Sequence, residues 1–493
     1  MPTTTPDKLL RSMFAEMVAR RPTIERATAY YDGRHNLAFA GQKFREAFGG
    51  LFGAFADNWC QIVVDATEER MTVNGFRVGE NLDVDDDAKR IWEDNDLDIQ
   101  SQMGHSSGLI EGAFYVTVWP RGTEGADTTT PEITVESGTG AIVRCHPKIR
   151  RRREAGLRTY IDDDGYEHAE LFTPDRVYLF RSRSKRAGFI DPLRAQWVIE
   201  DQVDARRYLD ASGSMPNPLG VVPMVEFLNR PRLHVARGVG FAAHSELTAI
   251  IPLQDAVNKL LSDMLVASEF GAFPQRWMTG YEPDEDDNGR PIPPDFKSGA
   301  GKLWWTEDGE ARFGQFDPTN LSGYVDSVEM LVQHIASISK TPAHYLRASA
   351  DRLSGESIKS SETPLIAKVR RKMTHRAAGW EEVMRLAGMV ANVNELASAT
   401  SMETVWADPE TRTEAEHVDA LMKKQALNVP DQQIWEEMGY TPEQVARFPK
   451  MRAEVDIVGM AQRVQGERDR QAMSAAAERD AMIRTGATTP AEA

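Results

Sequence analysis

Residues 245–270 read SELTAIIPLQDAVNKLLSDMLVASEF, and their apolar residues return at intervals of three and four positions. The apolar positions on this face are Leu247, Ile250, Ile251, Val257, Leu260, Leu261, Met264 and Leu265. This spacing predicts an amphipathic helix with one apolar stripe. Pro252 should kink the helix or mark a new start, because proline has no backbone N–H to donate.

A second stretch with the same period follows at 319–340, TNLSGYVDSVEMLVQHIASISK. The two predicted helices flank a proline-rich insert at 271–318, in which short β-like pieces lie at 302–305 and 311–316. A helix pair closed by an insert cannot cover its own apolar stripes. In a closed ring, each pair would pack on the next copy through a heterologous interface. The alternative is an ordinary helical domain with an inserted β-hairpin.

The rest of the chain predicts an α+β fold. A Ser/Gly/Asp-rich break at 341–355 leads into a helical pattern at 356–397, which at about 1.5 Å per residue would span roughly 60 Å. Further helices are predicted at 7–31, 44–70 and 84–103. Residues 112–230 are mostly β, with a hairpin signal, Asp-Gly, at 164–165 between two strand-like runs. The chain after 398 is predicted to be helical.

Composition and charge exclude several classes of protein. The chain has 493 residues, enough for two to four structural units of roughly 100–200 residues each. It has no apolar run near the ~20 residues that span a bilayer, and no export signal at its start. Two cysteines are too few for a disulfide framework. The formal net charge of −17 is opposite to the basic surplus of a protein that grips DNA by its phosphates.

Motifs for catalysis and cofactor binding are incomplete. The GxSxG match at 104–108 has a helix before it and a strand after it, the reverse of a nucleophile elbow. The GxGxxA match at 238–243 follows no buried strand, and GAGK at 299–302 lacks parts of a P-loop. The ten histidines form no metal-ligand pattern. We therefore expect no cofactor, no metal and no enzymatic activity.

Two kinds of charged run remain to be interpreted. Aspartates at 85–87, 162–164 and 284–287 favour solvated turns over cation sites, since none has EF-hand spacing. One basic run comprises Lys148 and residues 150–153. It fits a solvated strand edge that blunts aggregation. The alternative is contact with nucleic acid or with an acidic partner.

Seven short stretches together resemble a known family, the portal proteins of tailed bacteriophages, in particular those of long-tailed actinobacteriophages. They are YYDG at 30–33, NWCQIVVD at 58–65, ERMTVNGF at 69–76, FTPDRVY at 172–178, PMVEF at 223–227, IPLQDAVNK at 251–259 and LSGES at 353–357. Their order and spacing, which cover most of 28–450, carry the resemblance. One departure is AHSE at 243–246, where such proteins often have GRSE.

The resemblance implies a twelve-subunit ring at one capsid vertex of the virion, built in the host cytoplasm, through which double-stranded DNA is packaged and ejected. Implied partners are the large terminase, a head–tail adaptor, and capsid and scaffolding proteins, with no membrane. The implied segments are a wing (1–243), stem helix 1 (244–270), a clip (271–318), stem helix 2 (319–340), a tunnel loop (341–357), a long wing helix (356–397), a helical crown (398–484) and a disordered tail (485–493).

The resemblance also indicates candidate contact residues. Those of the DNA-channel loop are Arg347, Asp351, Arg352, Ser354, Gly355, Glu356 and Lys359. Ser354 is a candidate N-cap of the long helix. The acidic clip loop, a candidate docking edge, comprises Glu282, Asp284, Glu285, Asp286 and Asp287.

A DNA conduit would account for the net charge. Each phosphate contact adds grip, so a largely acidic wall with a few cations at the constriction would let DNA slide. Solvated loop charges without such a role are the alternative for these side chains. Alternatives for the whole chain are another non-enzymatic virion subunit or, less in keeping with the motifs, a packaging nuclease or ATPase.

Overall fold

The structure is a computed structural model that describes most of the chain. The described residues are 5–35, 57–79, 83–122, 129–149, 151–183, 185, 197–199, 214–233, 241–272, 276–280, 285, 287–290, 309–316, 320–346, 355–410, 421–440, 442–455, 465, 468, 470 and 473–476. The chain divides into two compact units, unit 1 (Met1–Asn81 with Asp85–Pro409) and unit 2 (Leu82–Val84 with Glu410–Ala493).

Helices and strands alternate along unit 1, so the predicted α+β class is confirmed. The helices whose bounds lie within the described residues are α1 (Pro6–Tyr31), α2 (Trp59–Glu68), α3 (Asp86–Asp94), α4 (Leu97–Glu111), α5 (Ile251–Ala272), α6 (Ser322–Ser339), α7 (Gly355–Ala391), α8 (Asn394–Ala397), α9 (Asp431–Glu437) and α10 (Pro442–Val455). The strands are β1 (Val73–Val78), β2 (Ala113–Pro120), β3 (Pro131–Ser137), β4 (Ala141–Cys145), β5 (Arg153–Ile161), β6 (Glu167–Phe172), β7 (Arg176–Ser182), β8 (Trp197–Ile199), β9 (Ser214–Pro216), β10 (Met224–Leu228), β11 (Arg232–Leu233), β12 (Phe241–Ala242), β13 (Arg276–Thr279), β14 (Arg312–Gln315) and β15 (Met402–Trp406).

The β-rich region forms two main antiparallel sheets. Strands β4 to β8 pair in chain order, with β9 added beside β7, and the predicted hairpin at 162–165 joins β5 to β6. Helix α1 packs its buried Leu10, Met13 and Met17 on this sheet. A three-stranded sheet has the order β10-β2-β3. These layers bury the apolar faces that period-2 strands and an amphipathic helix present.

The long helix α7 covers the three-stranded sheet. Trp380 is fully buried against Phe114 of β2 and Phe227 of β10. The helix has 37 residues and ends before the predicted limit of 397. Asn392 lies in the left-handed region with φ 56°, a conformation that asparagine tolerates. The chain turns there into the short helix α8.

Three predicted helices begin or end elsewhere. The stretch 84–103 is two helices, α3 and α4, because Asp96 takes a left-handed φ of 49° between them. The stretch from 245 opens with a 3₁₀ turn at Glu246–Ala249, and α5 begins at Ile251. Pro252 therefore marks a new start rather than a kink. Of the predicted helix at 44–70, residues 44–56 lie outside the described residues.

The predicted all-helical segment after 398 is wrong at 402–406. These residues form β15, which pairs antiparallel with β1 and places Thr404 opposite Phe76. Met402 and Thr404 are buried and Glu403 is exposed, which is the alternation of a half-buried strand. The strand belongs to unit 1. In unit 2, residues 421–426, α9 and α10 are helical as predicted.

The insert between α5 and α6 contains a two-stranded ribbon. The predicted strand at 311–316 is confirmed as β14, and its partner β13 was not predicted. The piece at 302–305 lies outside the described residues. No described helix is both long and apolar enough to cross a membrane.

Close packing between α7 and β10 yields a test of the fold. A Cβ at Gly379 would lie 2.4 Å from the Phe227 ring, so we expect Gly379→Ala to lower the free energy of unfolding by about 1–3 kcal/mol. Helix propensity alone would give the opposite sign, since alanine is favoured over glycine by about 1 kcal/mol. Chemical unfolding followed by circular dichroism measures the change.

The matched control is Gly323→Ala in α6, where nothing lies within 4 Å of the added Cβ. This variant should be neutral or slightly more stable. Equal effects of the two substitutions would contradict the packing of α7 on β10.

Candidate functional site

The predicted contact residues are only partly within the described structure. Gly355, Glu356 and Lys359 form the first turns of α7, and Gly355 and Glu356 are exposed. Arg347, Asp351, Arg352 and Ser354 lie outside the described residues, so the predicted N-cap at Ser354 stays a prediction. In the acidic clip loop, Glu285 and Asp287 are exposed. The other three, Glu282, Asp284 and Asp286, also lie outside the described residues.

The GxSxG match has a packing role. Residues 104–108 lie inside α4, and Cβ atoms at Gly104 and Gly108 would each meet the Phe114 ring at 2.8 Å. His105 is buried between Trp380, whose indole N–H donates to its Nε2 at 3.0 Å, and the Met71 carbonyl, 3.2 Å from its Nδ1. The absence of side chains at Gly104 and Gly108 leaves room for the Phe114 ring against α4. Among described residues, no group of three or more His, Cys, Asp or Glu could hold a metal ion.

The structure brings together a buried charge cluster that the sequence did not predict, here called the stem-base junction: Asn229, Glu246, Lys368 and Lys372. The Lys372 ammonium donates to Glu246 and to Asn229, in each case over 2.6 Å. The Asn229 amide donates to Glu246 at 3.2 Å. Glu246 opens the 3₁₀ turn before α5, Asn229 follows β10, and Lys372 lies in α7. The junction therefore joins three elements through one carboxylate.

Lys368 extends the junction to α6. Its ammonium lies 3.6 Å from Glu246 and donates at 3.0 Å to the carbonyl of Ser339, the last residue of α6. A cation at the C-terminal end of a helix also interacts favourably with the helix dipole. One turn of α7 therefore holds the start of the α5 segment and the end of α6 at the same place.

The junction contains more positive than negative charge, since two lysines face one glutamate. Burial alone would raise the pKa of Glu246, but Lys372 and Lys368 together lower the pKa to about 2. Burial lowers the pKa of Lys372 to about 8, against the opposing attraction of Glu246. Arg376, one turn further along α7, is fully buried and burial lowers its pKa to about 10. Lys372 and Lys368 thus share one carboxylate, that of Glu246, while Arg376 is influenced by both Glu246 and Glu68. The displacement of Glu246 would leave buried positive charge unpaired.

A second polar network fixes the chain on both sides of 347–354. Tyr345 donates to Glu362 at 2.9 Å, and Arg70 contacts both residues, at 2.5 Å and 3.4 Å. Arg70 also donates to the carbonyl of Pro409 at 2.7 Å. Tyr345 lies after α6 and Glu362 lies in the second turn of α7. Arg70 therefore contacts the chain both before and after residues 347–354, at Tyr345 and at Glu362.

The α5–α6 pair is buried at one end. Its fully buried side chains lie in the first half of α5 up to Ser262 and in the second half of α6 from Val332. Val325, Met330 and Ile338 of α6 are more than half exposed, at 54%, 51% and 53%. Val325 and Met330 lie in the outer part of the pair and Ile338 lies beside its buried end, and the described residues of this chain leave all three uncovered. Such surfaces mark sites of protein association.

Sequence reasoning missed the junction because it joins residues far apart in the chain. Lys372 and Glu246 are 126 positions apart. One signal was present. Lys368, Lys372 and Arg376 recur every four residues beside an apolar stripe of Leu365, Val369 and Met373, so these cations lie at the border of the buried face of α7.

Comparisons with known proteins match most of the chain to one family. Residues 11–456 match the sequence profile of the family described as "Phage portal protein, SPP1 Gp6-like". The chain is 28% identical over 430 residues to the portal protein of Mycobacterium phage L5, covering 84% of this chain and 82% of that protein. It is 29% identical over 397 residues to the portal protein of Mycobacterium phage D29, covering 77% of this chain and 75% of that protein.

Two solved structures are also similar over most of the chain. One is a chain of the "Virion of native gene transfer agent (GTA) particle", with a TM-score of 0.43 and 11% identity, covering 80% of this chain and 91% of that chain. The other is a chain of the "Neck of empty GTA particle computed with C6 symmetry", with a TM-score of 0.44 and 12% identity, covering 81% and 92%.

The stem-base junction predicts how stability depends on pH. Because the folded pKa of Glu246, about 2, is below its unfolded value of about 4.3, the stabilisation is present above pH ~4.3 and is lost as the pH falls toward 2. We expect Glu246→Gln to lower the free energy of unfolding by roughly 3 kcal/mol at neutral pH. This deficit relative to the wild type should shrink as the pH falls from 5 to 3. Calorimetry across this range measures it.

The control is Asp263→Asn, which breaks the exposed Lys259–Asp263 pair of α5. An exposed pair contributes up to about 1 kcal/mol, so this variant should lie close to the wild type at every pH. A Glu246→Gln deficit that stays constant with pH would refute the junction's electrostatic role.

Proposed function

The chain belongs to the SPP1 Gp6-like family of phage portal proteins, which are structural, non-enzymatic components of virions, and we propose that its copies form a closed ring through which double-stranded DNA passes. The ring would have twelve subunits and occupy one capsid vertex, after assembly in the host cytoplasm beside capsid and scaffolding proteins. Membership of this family sets aside the packaging nuclease or ATPase that the sequence left as an alternative.

The observation that carries the ring is the half-buried α5–α6 pair. Its inner end is fixed by the stem-base junction, while Val325, Met330 and Ile338 remain exposed. Apolar area buried against a neighbour contributes about 25 cal/mol per Å². A ring covers these side chains on every subunit through one repeated heterologous contact. In this proposal, α5 and α6 correspond to stem helices 1 and 2, the segments 244–270 and 319–340.

The ribbon of β13 and β14 supports a docking role for the clip, 271–318. Trp277, Phe313 and Phe316 are exposed, and a two-stranded ribbon is marginally stable by itself in water. The ribbon therefore has surface to offer to other subunits or partners. We assign to it, with the acidic clip loop at 282–287, the docking of the large terminase during packaging and of a head–tail adaptor afterwards.

The segment 341–357 is proposed as the tunnel loop. Its flanks are held by the Arg70 network and by the start of α7, so the loop connects two fixed points. We propose that Arg347, Arg352 and Lys359 face the DNA and that Asp351 and Glu356 balance them. Ser354 and Gly355 would set the start of the helix. The net charge of −17 is consistent with a wall along which DNA slides.

The remaining segments complete the proposal. Residues 1–243 would form the wing, with α7 crossing it as the long wing helix of 356–397. The crown, proposed for 398–484 from the sequence, is better placed from Glu410 onward, because β15 belongs to unit 1. The tail at 485–493 lies outside the described residues.

The exposed apolar side chains of α6 provide the test of the ring. Met330→Asp/Ile338→Asp places two carboxylates on the surface that the neighbouring subunit would cover, so we expect monomers in place of rings. Native mass spectrometry and negative-stain imaging of the purified protein measure the outcome. Circular dichroism verifies that the variant remains folded.

The matched control, Met330→Leu/Ile338→Leu, keeps both positions apolar and should still form rings. Rings of normal size from the aspartate variant would exclude this face of α6 from the subunit contact. A wild-type protein that stays monomeric at every concentration would exclude the ring itself.

The tunnel loop generates a separate prediction. Arg347→Ala/Arg352→Ala removes two proposed DNA contacts and should leave ring formation intact while packaging or genome retention falls. Infectious-particle titre and packaged DNA length measure this effect. Normal packaging, assembly and retention would overturn the assignment of these two arginines.

A further inference from the structure

The basic run lies between β4 and β5 in the chain, and the structure describes all of its residues except Arg150. Residues 146–152, here called the basic loop, read HPKIRRR, and Arg153 follows as the first residue of β5. Within residues 148–153, five of the six side chains are cationic. This concentration stands out in a chain with 75 acidic and 58 basic residues.

Hydrogen bonds within the basic loop stabilise a turn. The His146 N–H donates to the Arg152 carbonyl and the Arg152 N–H donates to the Ile149 carbonyl, both over 2.8 Å. The Nδ1 atom of His146 accepts from the backbone N–H groups of Lys148 and Ile149, each at 3.1 Å. These bonds hold the described backbone at 146–149 and at Arg152 before any partner binds, which reduces the entropic cost of binding.

The cations of this turn are available. Lys148, Arg151 and Arg152 are exposed and form no ion pair within the described part of the chain. Arg153, in contrast, is bound to Glu382 of α7 at 2.5 Å. The loop is thus anchored to the long helix at its base through Arg153 and presents exposed cations at its tip.

Protection of a strand edge does not account for the run. The edge strand is β4, and its paired residues end with Cys145 opposite Arg153. Lys148, Arg151 and Arg152 lie beyond the last pair, on the connection. Along β4 itself, Arg144 is the one cation. Charges placed on the turn cannot blunt the free edge of the strand.

We propose that the basic loop binds the phosphate backbone of double-stranded DNA on a surface separate from the channel. This inference rests on the proposed function, in which double-stranded DNA passes through the ring. Glu382, where the loop is anchored, follows Lys359 by 23 residues of α7, roughly 35 Å along the helix axis. The basic loop therefore lies well away from the start of α7, where the proposed tunnel loop ends.

The chemistry favours DNA over an acidic protein. Arginine binds phosphate through a planar pair of donors, and three of the loop's four cations are arginines. A stable protein interface needs roughly 800 Å² on each partner with an apolar centre. Among the described residues from the start of β4 to the middle of β5, Ile149 of the loop is the one exposed large apolar side chain. Phosphate contact requires the charges alone.

The test uses covalently closed circular DNA, which cannot thread a closed ring, so its binding reports outer surfaces. We expect Arg151→Gln/Arg152→Gln in the full-length protein to weaken binding on the order of tenfold at low salt. The slope of log affinity against log salt should fall by about 2, because each lost phosphate contact contributes about 0.9. A gel-shift titration at several salt concentrations measures both quantities.

Two control variants show whether the effect is specific to the arginines of the basic loop. Arg447→Gln/Lys450→Gln removes two exposed cations from α10 and should leave the affinity and the slope unchanged. Ile149→Ser should also leave them unchanged. An unaltered slope in Arg151→Gln/Arg152→Gln overturns the inference, as does loss of incorporation into capsids with normal DNA binding, which would indicate a protein partner. Ring formation by the wild-type protein, measured separately by mass, tests the proposed function, whereas rings combined with an unaltered slope overturn this inference alone.

Discussion

The contact between Glu246 and Lys372 is the constraint on which the arrangement of helices in unit 1 depends. A buried ion pair is not by itself a large source of stability, because both groups lose their hydration. Its consequence is geometric. Because Lys368 and Lys372 both pair with Glu246, a shift of the α5 start relative to α7 would leave a buried cation without compensation. The junction therefore penalises alternative registers of these helices more than it stabilises the native one.

This constraint links a rigid part of the molecule to an exposed one. Helix α7 is packed on the three-stranded sheet through Trp380 and cannot move without opening that core. Through Lys368 and Lys372 it holds the ends of α6 and of the α5 segment, and through Glu362 it holds Tyr345. The outer halves of α5 and α6 have no such support within the described residues of the subunit. Their orientation is therefore set at the base, and their apolar surface remains for another copy.

The sequence predicted those elements whose signal is local. The stripes of α5 and α6, the hairpin between β5 and β6, and the long pattern of α7 each follow from a period of 3.6 or 2 within one segment. Breaks at Asp96 and Asn392 were missed because left-handed single residues have no periodic signal. Strands β13 and β15 were missed because each is short and depends on a distant partner. The junction was missed for the same reason, since a lysine beside an apolar stripe usually extends to water.

The position of the charges matters more than their sum. Lys368, Lys372 and Arg376 contribute to the net charge but are buried or paired, so they cannot attract DNA from solution. The exposed cations of the basic loop, fixed by backbone hydrogen bonds, act over about a Debye length, roughly 10 Å at 0.1 M salt. An acidic chain can therefore allow DNA to slide along most of its surface and still hold it at a few defined points. If the proposed DNA contact is correct, burial determines which of the described basic residues can serve as such points.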